Sequence, residues 1–409
     1  MLSHPPQKNR LTAACLCFFA IWFVATCSAE TASPPKKLNV LLVIVDDLGF
    51  ADLSCLGSED MQTPNLDQLY SKSLKLGKLY ANCPVCSPTR ASVLTGCYPD
   101  RVGVPGVIRT HRENNWGYYQ PFTQTLPHQL QENGYETIAI GKWHLGLSPA
   151  THPLSQGFDR FQGYLGDMMD DYYKHRRHGI NYMRDDRTEI DPKGHATDLF
   201  TQWAVEYING HAKEAVAEAD VTKDASSTSF ATEPGIEQKP WFLYLAYNAP
   251  HTPIQPPEDW YKKVKVREQA NRDTAISDKR AKIVALIEHM DAGIGEVLNA
   301  LKKSGQFENT VIVFTSDNGP EKTWSKRAEL HQHQSNGIYR EGKRSIYEGG
   351  HRVPFFIRWP AKVKAGSTWD EPVCQTDLLA TFAEMVGAKL PPDAGEDSDS
   401  FYMDLLGRK

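Results

Sequence analysis

The sequence lacks the features that would mark several common functional classes. Its 45 lysine and arginine residues are outnumbered by 50 aspartate and glutamate residues, so the net charge is −5 and nothing indicates general nucleic-acid binding. It contains no Asn-x-Ser/Thr sequon, and so no N-glycosylation signal. The apolar stretch Leu11 to Thr26 is shorter than the ~20 residues that a membrane span needs. What is left is a chain of 409 residues, long enough for one large α/β domain or two smaller ones.

Cysteine is too sparse for a disulfide scaffold. Of the eight cysteines, three lie in or at the edge of the N-terminal apolar segment, and the remaining five are scattered and odd in number. No two CxxC pairs are present, which argues against a structural zinc site. The one CxxC, at 83–86, could by itself be a redox pair. The five cysteines are Cys55, Cys83, Cys86, Cys97 and Cys374.

The N-terminus has the pattern of a targeting segment. Lys8 and Arg10 precede the apolar stretch, and the small residues Ser28 and Ala29 follow it. We therefore predict a signal peptide over 1–29 and an exported protein, in a periplasmic, extracellular or lysosome-like compartment, with no transmembrane anchor. A lipid anchor on Cys27 is the alternative, although the threonine before it fits bacterial lipoprotein signals poorly.

Hydrophobic runs alternate with helical patterns along the rest of the chain. This alternation predicts an α/β fold with a large, mostly parallel central sheet flanked by helices on both faces. The predicted strands are Leu38 to Val45, Glu136 to Ile140, Trp241 to Tyr247, Thr310 to Thr315 and Phe355 to Trp359.

Helical spacing is clearest from Ser277 to Lys303, where His289 and Asp291 are predicted to lie on the surface. Thr63 and Pro64 indicate the start of a second helix, running through Leu74. The stretch 211–239 lacks periodicity and is predicted to be an insertion or loose connection. The basic run 174–178 is either solvated surface or a face toward an anionic substrate.

Polar residues follow several predicted strands at the point where each strand ends. In open α/β sheets, ligands bind beyond the carboxyl ends of the strands, so these side chains are expected to converge. The residues are Asp46, Asp47, Lys142, His144, His251, Asp317 and Asn318.

The segment CSPTRASVLTG, 86–96, combines a cysteine with a helix start. Pro88 fits the first turn of a helix, so Cys86 would lie at the helix N-terminus, where backbone N–H groups and the helix dipole favour an anion. Arg90 would lie one turn further on.

Taken together, these motifs resemble those of type I sulfatases of the alkaline phosphatase superfamily. VDDLG, CSPTR with its TG end, GKWHLG, NAPHTP, SDNG and GKRSIYEGGHRVP occur in that family's order. The resemblance covers most of 38–390, which is predicted to be the catalytic domain. After it the family commonly has a smaller subdomain, so 391–409 is expected to be a reduced remnant or the start of a truncated one.

The resemblance implies that a formylglycine-generating enzyme converts Cys86 to an aldehyde whose hydrate is the nucleophile. It also implies one divalent cation, calcium rather than magnesium, held by Asp46, Asp47, Asp317 and Asn318 with the modified Cys86 near it. Carboxylate and amide oxygens form a hard site suited to either ion and poor for zinc.

The resemblance further assigns roles to side chains around the nucleophile. Arg90 would hold the hydrated aldehyde, Lys142 and Lys343 would neutralise sulfate oxygens, His144 would act as base and His251 as acid. No role is assigned to Glu348, His351 or Arg352, and the block 349–360 is expected to supply a tight glycine turn and a strand. His331, His333 and Asn336 are either substrate contacts or surface loop.

The predicted function is hydrolysis of sulfate monoesters, on a sulfated small molecule or glycan, with release of inorganic sulfate. The first alternative is a phosphodiesterase or phosphonate monoester hydrolase of the same superfamily. The second is a non-catalytic binder of sulfated glycans in which Cys86 stays unmodified. No nucleic-acid partner is expected.

Overall fold

The predicted hydrophobic runs form the centre of a large mixed sheet. In this computed structural model the described residues are 37–111, 117–120, 124–221, 239–271, 276–321, 333–360 and 362–407, so the predicted signal peptide lies outside them. The strands are β1 (Asn39–Val45), β2 (Leu74–Leu76), β3 (Leu79–Tyr80), β4 (Glu136–Lys142), β5 (Arg160–Tyr164), β6 (Arg176–Arg177), β7 (Ile180–Asn181), β8 (Met183–Asp185), β9 (Thr188–Glu189), β10 (Trp241–Ala246), β11 (Thr310–Ser316), β12 (Phe355–Arg358), β13 (Thr368–Trp369) and β14 (Val373–Cys374).

Helices connect and cover these strands. None in the described ranges combines the length and the apolar character needed to cross a membrane. The helices are α1 (Pro64–Ser71), α2 (Cys86–Thr95), α3 (Leu126–Glu132), α4 (Ala196–Val221), α5 (Glu258–Asn271), α6 (Asp278–Lys303), α7 (Glu348–His351), α8 (Leu378–Val386) and α9 (Tyr402–Leu405).

The ten-stranded sheet has the order β13-β2-β12-β11-β1-β10-β4-β5-β8-β9. Five neighbouring strands, β11, β1, β10, β4 and β5, pair in parallel. An antiparallel strand continues the sheet at each end of this group, β12 beside β11 and β8 beside β5. All seven residues of β1 are buried, as its uninterrupted apolar run predicts for a central strand. The α/β fold with a mostly parallel sheet is confirmed.

The two faces of the sheet bury two separate cores, which confirms that helices flank both faces. Leu41 and Val43 of β1 pack into a core shared with α1, α4, α5 and α6. Val40 and Leu42 point the opposite way, into a core shared with α2, α3 and α8. This alternation is the period of two that a strand imposes on its side chains.

Three local predictions were wrong. The helix predicted to run from Thr63 and Pro64 through Leu74 is α1, which ends at Ser71. Leu74 and Leu76 instead alternate with a more exposed Lys75 and form β2. Helix α4 continues through Val221, so the first part of 211–239 is helical. The glycines of 349–350 lie in the short helix α7, where an added Cβ on Gly349 would stand 2.1 Å from the Glu341 carbonyl oxygen.

His289 and Asp291 are buried, contrary to the surface prediction. Helix α6 packs against α1, α4 and α5 at once, so its polar residues are enclosed as well as its apolar ones. Asp291 accepts hydrogen bonds from the backbone N–H groups of Leu66 (2.8 Å) and Asn65 (3.2 Å), in the first turn of α1. The side chain therefore caps a neighbouring helix, a role that periodicity along α6 cannot show.

We expect Asp291→Ala to lower the free energy of unfolding by about 1–3 kcal/mol, because two buried N–H donors of α1 lose their acceptor. Urea denaturation measures the change. Glu296→Ala, an exposed position on the same helix, is the matched control and should change stability by less than ~0.5 kcal/mol. Equal losses in the two variants would contradict the capping role.

Candidate active site

Two acidic clusters meet at the carboxyl ends of β1 and β11. The two strands pair in parallel with Val45 opposite Ser316, so the residues that follow them lie side by side. The Asp47 backbone N–H donates to Asp317 Oδ1 (3.2 Å), and Asn318 Nδ2 donates to Asp47 Oδ1 (2.7 Å). Together with Asp46, these residues are completely buried. The structure thus brings together the four oxygen-bearing residues that the sequence grouped as cation ligands.

Lys142 and His144 enter the same region from β4, two strands away. Lys142 is the last residue of β4, and its Nζ lies 2.5 Å from Asp46 Oδ2. His144 Nε2 donates to the Ile108 carbonyl oxygen (2.7 Å) and lies 3.0 Å from Ser87 Oγ. These contacts place the proton on Nε2, while the buried Nδ1 has no hydrogen-bond partner among the described residues. His144 therefore presents a free lone pair.

Helix α2 begins at Cys86, as the proline pattern predicts. Val85 before it is extended, and Gly96 ends the helix in the left-handed conformation that favours glycine. Every residue of the helix is buried. Arg90, one turn in, directs its guanidinium to Asp317 Oδ2 (Nη2 2.8 Å, Nε 2.9 Å), so its closest contacts are carboxylates.

Lys343 and His251 complete the group. Lys343 Nζ lies 2.6 Å from Asp47 Oδ1 and 3.2 Å from Cys86 Sγ. His251 donates from Nδ1 to the Thr252 carbonyl oxygen (2.7 Å), and its Nε2 is 3.6 Å from Asp47 Oδ2. All the predicted site residues are thus brought to one edge of the sheet.

Three strained backbone positions lie at this edge. Asp47, His144 and Arg344 have φ values of 66°, 61° and 68°, in the left-handed region that side chains with a Cβ rarely adopt. Such conformations cost about 1–3 kcal/mol each and persist where the surrounding structure holds them. Strain of this kind is common at functional sites, and here His144 and Arg344 line the same cavity as Cys86.

The buried charges are mutually compensating but unevenly distributed. Burial raises the pKa of Asp46, but the neighbouring cations, led by Lys142, outweigh burial and hold the pKa well below its ordinary value. Burial and the negative charge of Asp46 raise the pKa of Asp317 to about 7. Burial lowers the pKa of Lys343, yet Asp47 more than reverses this, so the ammonium stays charged. Asp317 is therefore the carboxyl of this cluster that holds a proton most readily, even with Arg90 2.8 Å away.

Unpartnered oxygens at this position fit a hard cation. Asp46 Oδ1, Asp47 Oδ2 and Asn318 Oδ1 are buried and have no hydrogen-bond partner among the described residues. Buried oxygens of this kind are costly unless something satisfies them. One ligand atom each from Asp46, Asp47, Cys86 and His251 also lie within 4.8 Å of one another. We give the oxygens more weight than His251, because oxygen ligands suit calcium and magnesium.

Cys86 is not an activated thiol. Burial raises the pKa of its thiol to about 12, despite the opposing charges of Lys343 and Lys142. Burial also raises the pKa of Cys83 to about 11. Redox and nucleophilic cysteines have lowered pKa values, because the thiolate is the reactive form. The two cysteines therefore do not form a redox pair with an activated thiolate.

A small cavity of about 70 Å³ opens beside Cys86. It is lined by several predicted residues and by a group that the sequence reasoning missed. Four residues of the missed group lie on the loops after α2 and β5, and the strand-end rule would have found those after β5 had that strand been predicted; the other two directly follow the predicted site residues His251 and Lys343. The missed lining residues are Val107, Arg109, Asp167, Met168, Thr252 and Arg344.

Other candidate residues have partners elsewhere. Arg352 pairs with Glu348 (2.9 Å), and His333 Nε2 lies 3.0 Å from Asp52 Oδ1. Asn336 Nδ2 and His351 Nδ1 contact backbone carbonyl oxygens, and none of these five residues lines the cavity. His331 lies outside the described residues. The basic run 174–178 lies only partly at the surface: Arg176 pairs with Asp191, but His175 is buried and Arg177 lies 3.3 Å from Asp167 of the cavity wall.

Comparison with known proteins finds a matching family and several similar curated proteins. The family described as Sulfatase matches residues 38–388. The chain is 30% identical over 383 residues to the N-acetylgalactosamine-6-sulfatase of Canis lupus familiaris, covering 92% of this chain and 67% of that protein. It is 30% identical over 446 residues to the steryl-sulfatase of Mus musculus, covering 95% of this chain and 68% of that protein. The chain thus spans about two thirds of the length of these curated relatives.

A solved structure has the same architecture. The crystal structure of Ps i-CgsB in complex with k-i-k-neocarrahexaose aligns with a TM-score of 0.72 and 31% sequence identity. The alignment covers 90% of this chain and 75% of that chain.

Proposed function

This chain belongs to the sulfatase family, and from that premise we propose that it hydrolyses sulfate monoesters in the cavity beside Cys86. One observation carries the proposal: a buried cysteine at a helix N-terminus shares its cavity with Lys343, His144 and His251. An anion in that cavity would meet helix N–H groups and a fixed ammonium in a water-poor environment, where such contacts are strongest.

We propose that the reactive form of Cys86 is formylglycine, made by a formylglycine-generating enzyme that oxidises the side chain with loss of sulfur. When present, this group supplies a hydrated aldehyde, with one hydroxyl to attack sulfur and a second whose deprotonation releases sulfate from the same carbon. The thiol pKa of about 12 supports this reading, because the unmodified side chain is protonated near neutral pH and a poor nucleophile. In the structure, Sγ marks where a hydroxyl oxygen would lie.

The surrounding residues have contacts that suit distinct tasks. Lys343 lies 3.2 Å from Sγ and would neutralise sulfate oxygens; Lys142, which binds Asp46, would do the same. The lone pair on His144 Nδ1 suits it to take a proton, because burial and the charge of Lys142 keep its pKa well below the ordinary value and the ring neutral. His251, also in the cavity wall, is the proposed acid for the leaving oxygen.

We propose that Asp46, Asp47, Asp317 and Asn318 hold one divalent cation, calcium rather than magnesium. When bound, it supplies positive charge that polarises the nucleophile and a sulfate oxygen. The three unpartnered buried oxygens support this assignment. Arg90 would then balance the charge of Asp317 and contact the modified residue from the same side.

Two measurements on protein from its native host test the proposal. Peptide mass analysis of the 86–90 segment should show an aldehyde at position 86; an unmodified thiol would end the formylglycine mechanism. A panel of 4-nitrophenyl sulfate, monosaccharide sulfates and bis(4-nitrophenyl) phosphate should show turnover of sulfate esters. Turnover of the phosphorus ester alone would favour a phosphodiesterase, and glycan binding without turnover by aldehyde-bearing protein would favour a binder.

We also propose that the protein is exported after cleavage of residues 1–29 and that 38–390 acts as the catalytic unit. Residues Phe401 and Leu405, which follow that unit, pack into the same core as α2 and α8. Sequencing the N-terminus of the secreted protein would test the cleavage position.

A further inference from the structure

Asp167 is an acidic side chain in the cavity that the proposed mechanism does not use. It lies three residues beyond β5, the strand next to β4, on the same edge of the sheet as Lys142. It lines the cavity together with Cys86, His144 and His251. The residue is only 4% exposed, so its carboxylate is shielded from bulk solvent.

The side chain is held in place from one side only. Oδ1 accepts from the Met168 backbone N–H (2.8 Å) and lies 3.3 Å from Nε of Arg177, with Thr110 Oγ1 more distant at 3.5 Å. For Oδ2, no hydrogen bond is found with the described residues. The carboxylate is therefore fixed in orientation while one oxygen remains available to accept a hydrogen bond.

A carboxylate is an unsuitable partner for the sulfate itself, because the two negative charges repel each other. What it can recognise is a neutral donor, a hydroxyl or an amide N–H, close to the sulfated carbon. Aryl and steryl sulfates need no such donor beside the sulfated carbon, whereas a sugar sulfated at the 2-, 3- or 4-position of its ring has a hydroxyl or amide group on a neighbouring carbon. Met168 and Val107 in the same wall offer apolar contact for the C–H face of a ring.

We propose that Asp167 determines specificity by accepting a hydrogen bond from a hydroxyl or amide group adjacent to the sulfate ester, which makes the substrate a sulfated carbohydrate. This inference rests on the proposed function, since it concerns the same cavity. A site with a buried acceptor strongly rejects a substrate that has no hydrogen-bond donor at the matching position, because the acceptor is then left unpaired.

The test compares Asp167→Asn with wild-type enzyme on two kinds of substrate. One is whichever of galactose 3-sulfate, N-acetylgalactosamine 4-sulfate and N-acetylglucosamine 3-sulfate the wild type turns over fastest; the other is 4-nitrophenyl sulfate. We expect kcat/KM to fall roughly 10- to 100-fold on the sugar, the usual size of a hydrogen bond to a charged group, and to change less than about 3-fold on the aryl ester.

Asp170→Asn is the matched control. Asp170 also binds Arg177, at 2.7 Å, but is 42% exposed at its side chain and does not line the cavity. If Asp167 merely orients Arg177, the two variants will behave alike, and that result would overturn the proposal. We expect the control to keep wild-type kcat/KM, within about 3-fold, on both substrates.

A change on the substrate side makes the test independent of folding. For wild type, a deoxy analogue of the chosen sugar sulfate, lacking the donor beside the ester, should lose about as much kcat/KM as Asp167→Asn loses on the full sugar. On Asp167→Asn the analogue should lose nothing further. Additive losses, or equal losses on aryl and sugar esters, would refute the role of Asp167. Wild type that cleaves only 4-nitrophenyl sulfate would also refute it, whereas aldehyde-bearing protein that cleaves no sulfate ester would refute the proposed function itself.

Discussion

Replacing Cys86 with alanine is expected to lower kcat on any sulfate ester by roughly 10⁴- to 10⁶-fold, the range seen when a covalent nucleophile is removed. Cys86 is the cavity residue that the proposed mechanism modifies, and no other cavity side chain can supply two hydroxyls on one carbon. Initial rates with 4-nitrophenyl sulfate, together with a thermal melt to verify folding, measure the effect. A variant that melts like wild type and keeps more than about a tenth of its activity would contradict the assignment.

Cys83→Ala is the control for the CxxC. Cys83 lies three residues before Cys86, is half-buried and does not line the cavity, so its loss should change kcat by less than about 3-fold. Cys86→Ser sharpens the comparison, because a serine can form a sulfate ester but has no second hydroxyl to release it. After incubation with substrate, the peptide that contains position 86 should carry the mass of one added SO₃.

Removing divalent cations is expected to lower kcat/KM by about 10³-fold or more, with recovery on adding calcium, because the proposed cation would polarise the nucleophile and a sulfate oxygen. Dialysis against a chelator, followed by titration with calcium chloride, measures this. Calcium should also raise the melting temperature of the stripped protein. At a calcium concentration of a hundred times the Kd, binding adds about 2.7 kcal/mol to the free energy of unfolding.

Asn318→Ala should weaken the calcium response by at least about 10-fold, since it removes one of the unpartnered buried oxygens. Asn336→Ala is the matched control: this asparagine is also buried, but its side chain binds backbone carbonyl oxygens of its own loop. Full activity after chelation, or recovery with zinc but not with calcium or magnesium, would contradict a hard oxygen site.

The parts of the fold that the sequence predicted well are those governed by local pattern. Largely apolar runs located five strands of the sheet, and proline in the first turn located the start of α2 at Cys86. Because parallel strands end at one edge, the polar residues after them had to meet there, which is why Asp46 and Asp317 could be paired across 271 positions of sequence.

The failures come from tertiary contacts. Asp291 looked like a surface residue of α6, yet it caps a helix 225 positions earlier in the chain, and no spacing within α6 encodes that contact. Asp167 was missed because β5 has polar and glycine residues in its sequence, RFQGY, and did not stand out as a strand. The orientation of Arg90 toward Asp317 likewise depends on how two distant loops pack.

The left-handed backbone at Asp47, His144 and Arg344 has a consequence for protein engineering. Glycine at any of these positions would relieve about 1–3 kcal/mol of conformational strain while deleting the side chain that the cavity or the cation site uses. A library of variants screened for heat resistance alone would therefore enrich stable but inactive proteins at His144 and Arg344, whereas glycine at Asp47 would leave the buried Lys343 ammonium without its closest carboxylate. Variants made to increase thermal stability should keep these three residues unchanged. Stabilising substitutions are better sought elsewhere, for example at the caps of the helices that cover the two faces of the sheet.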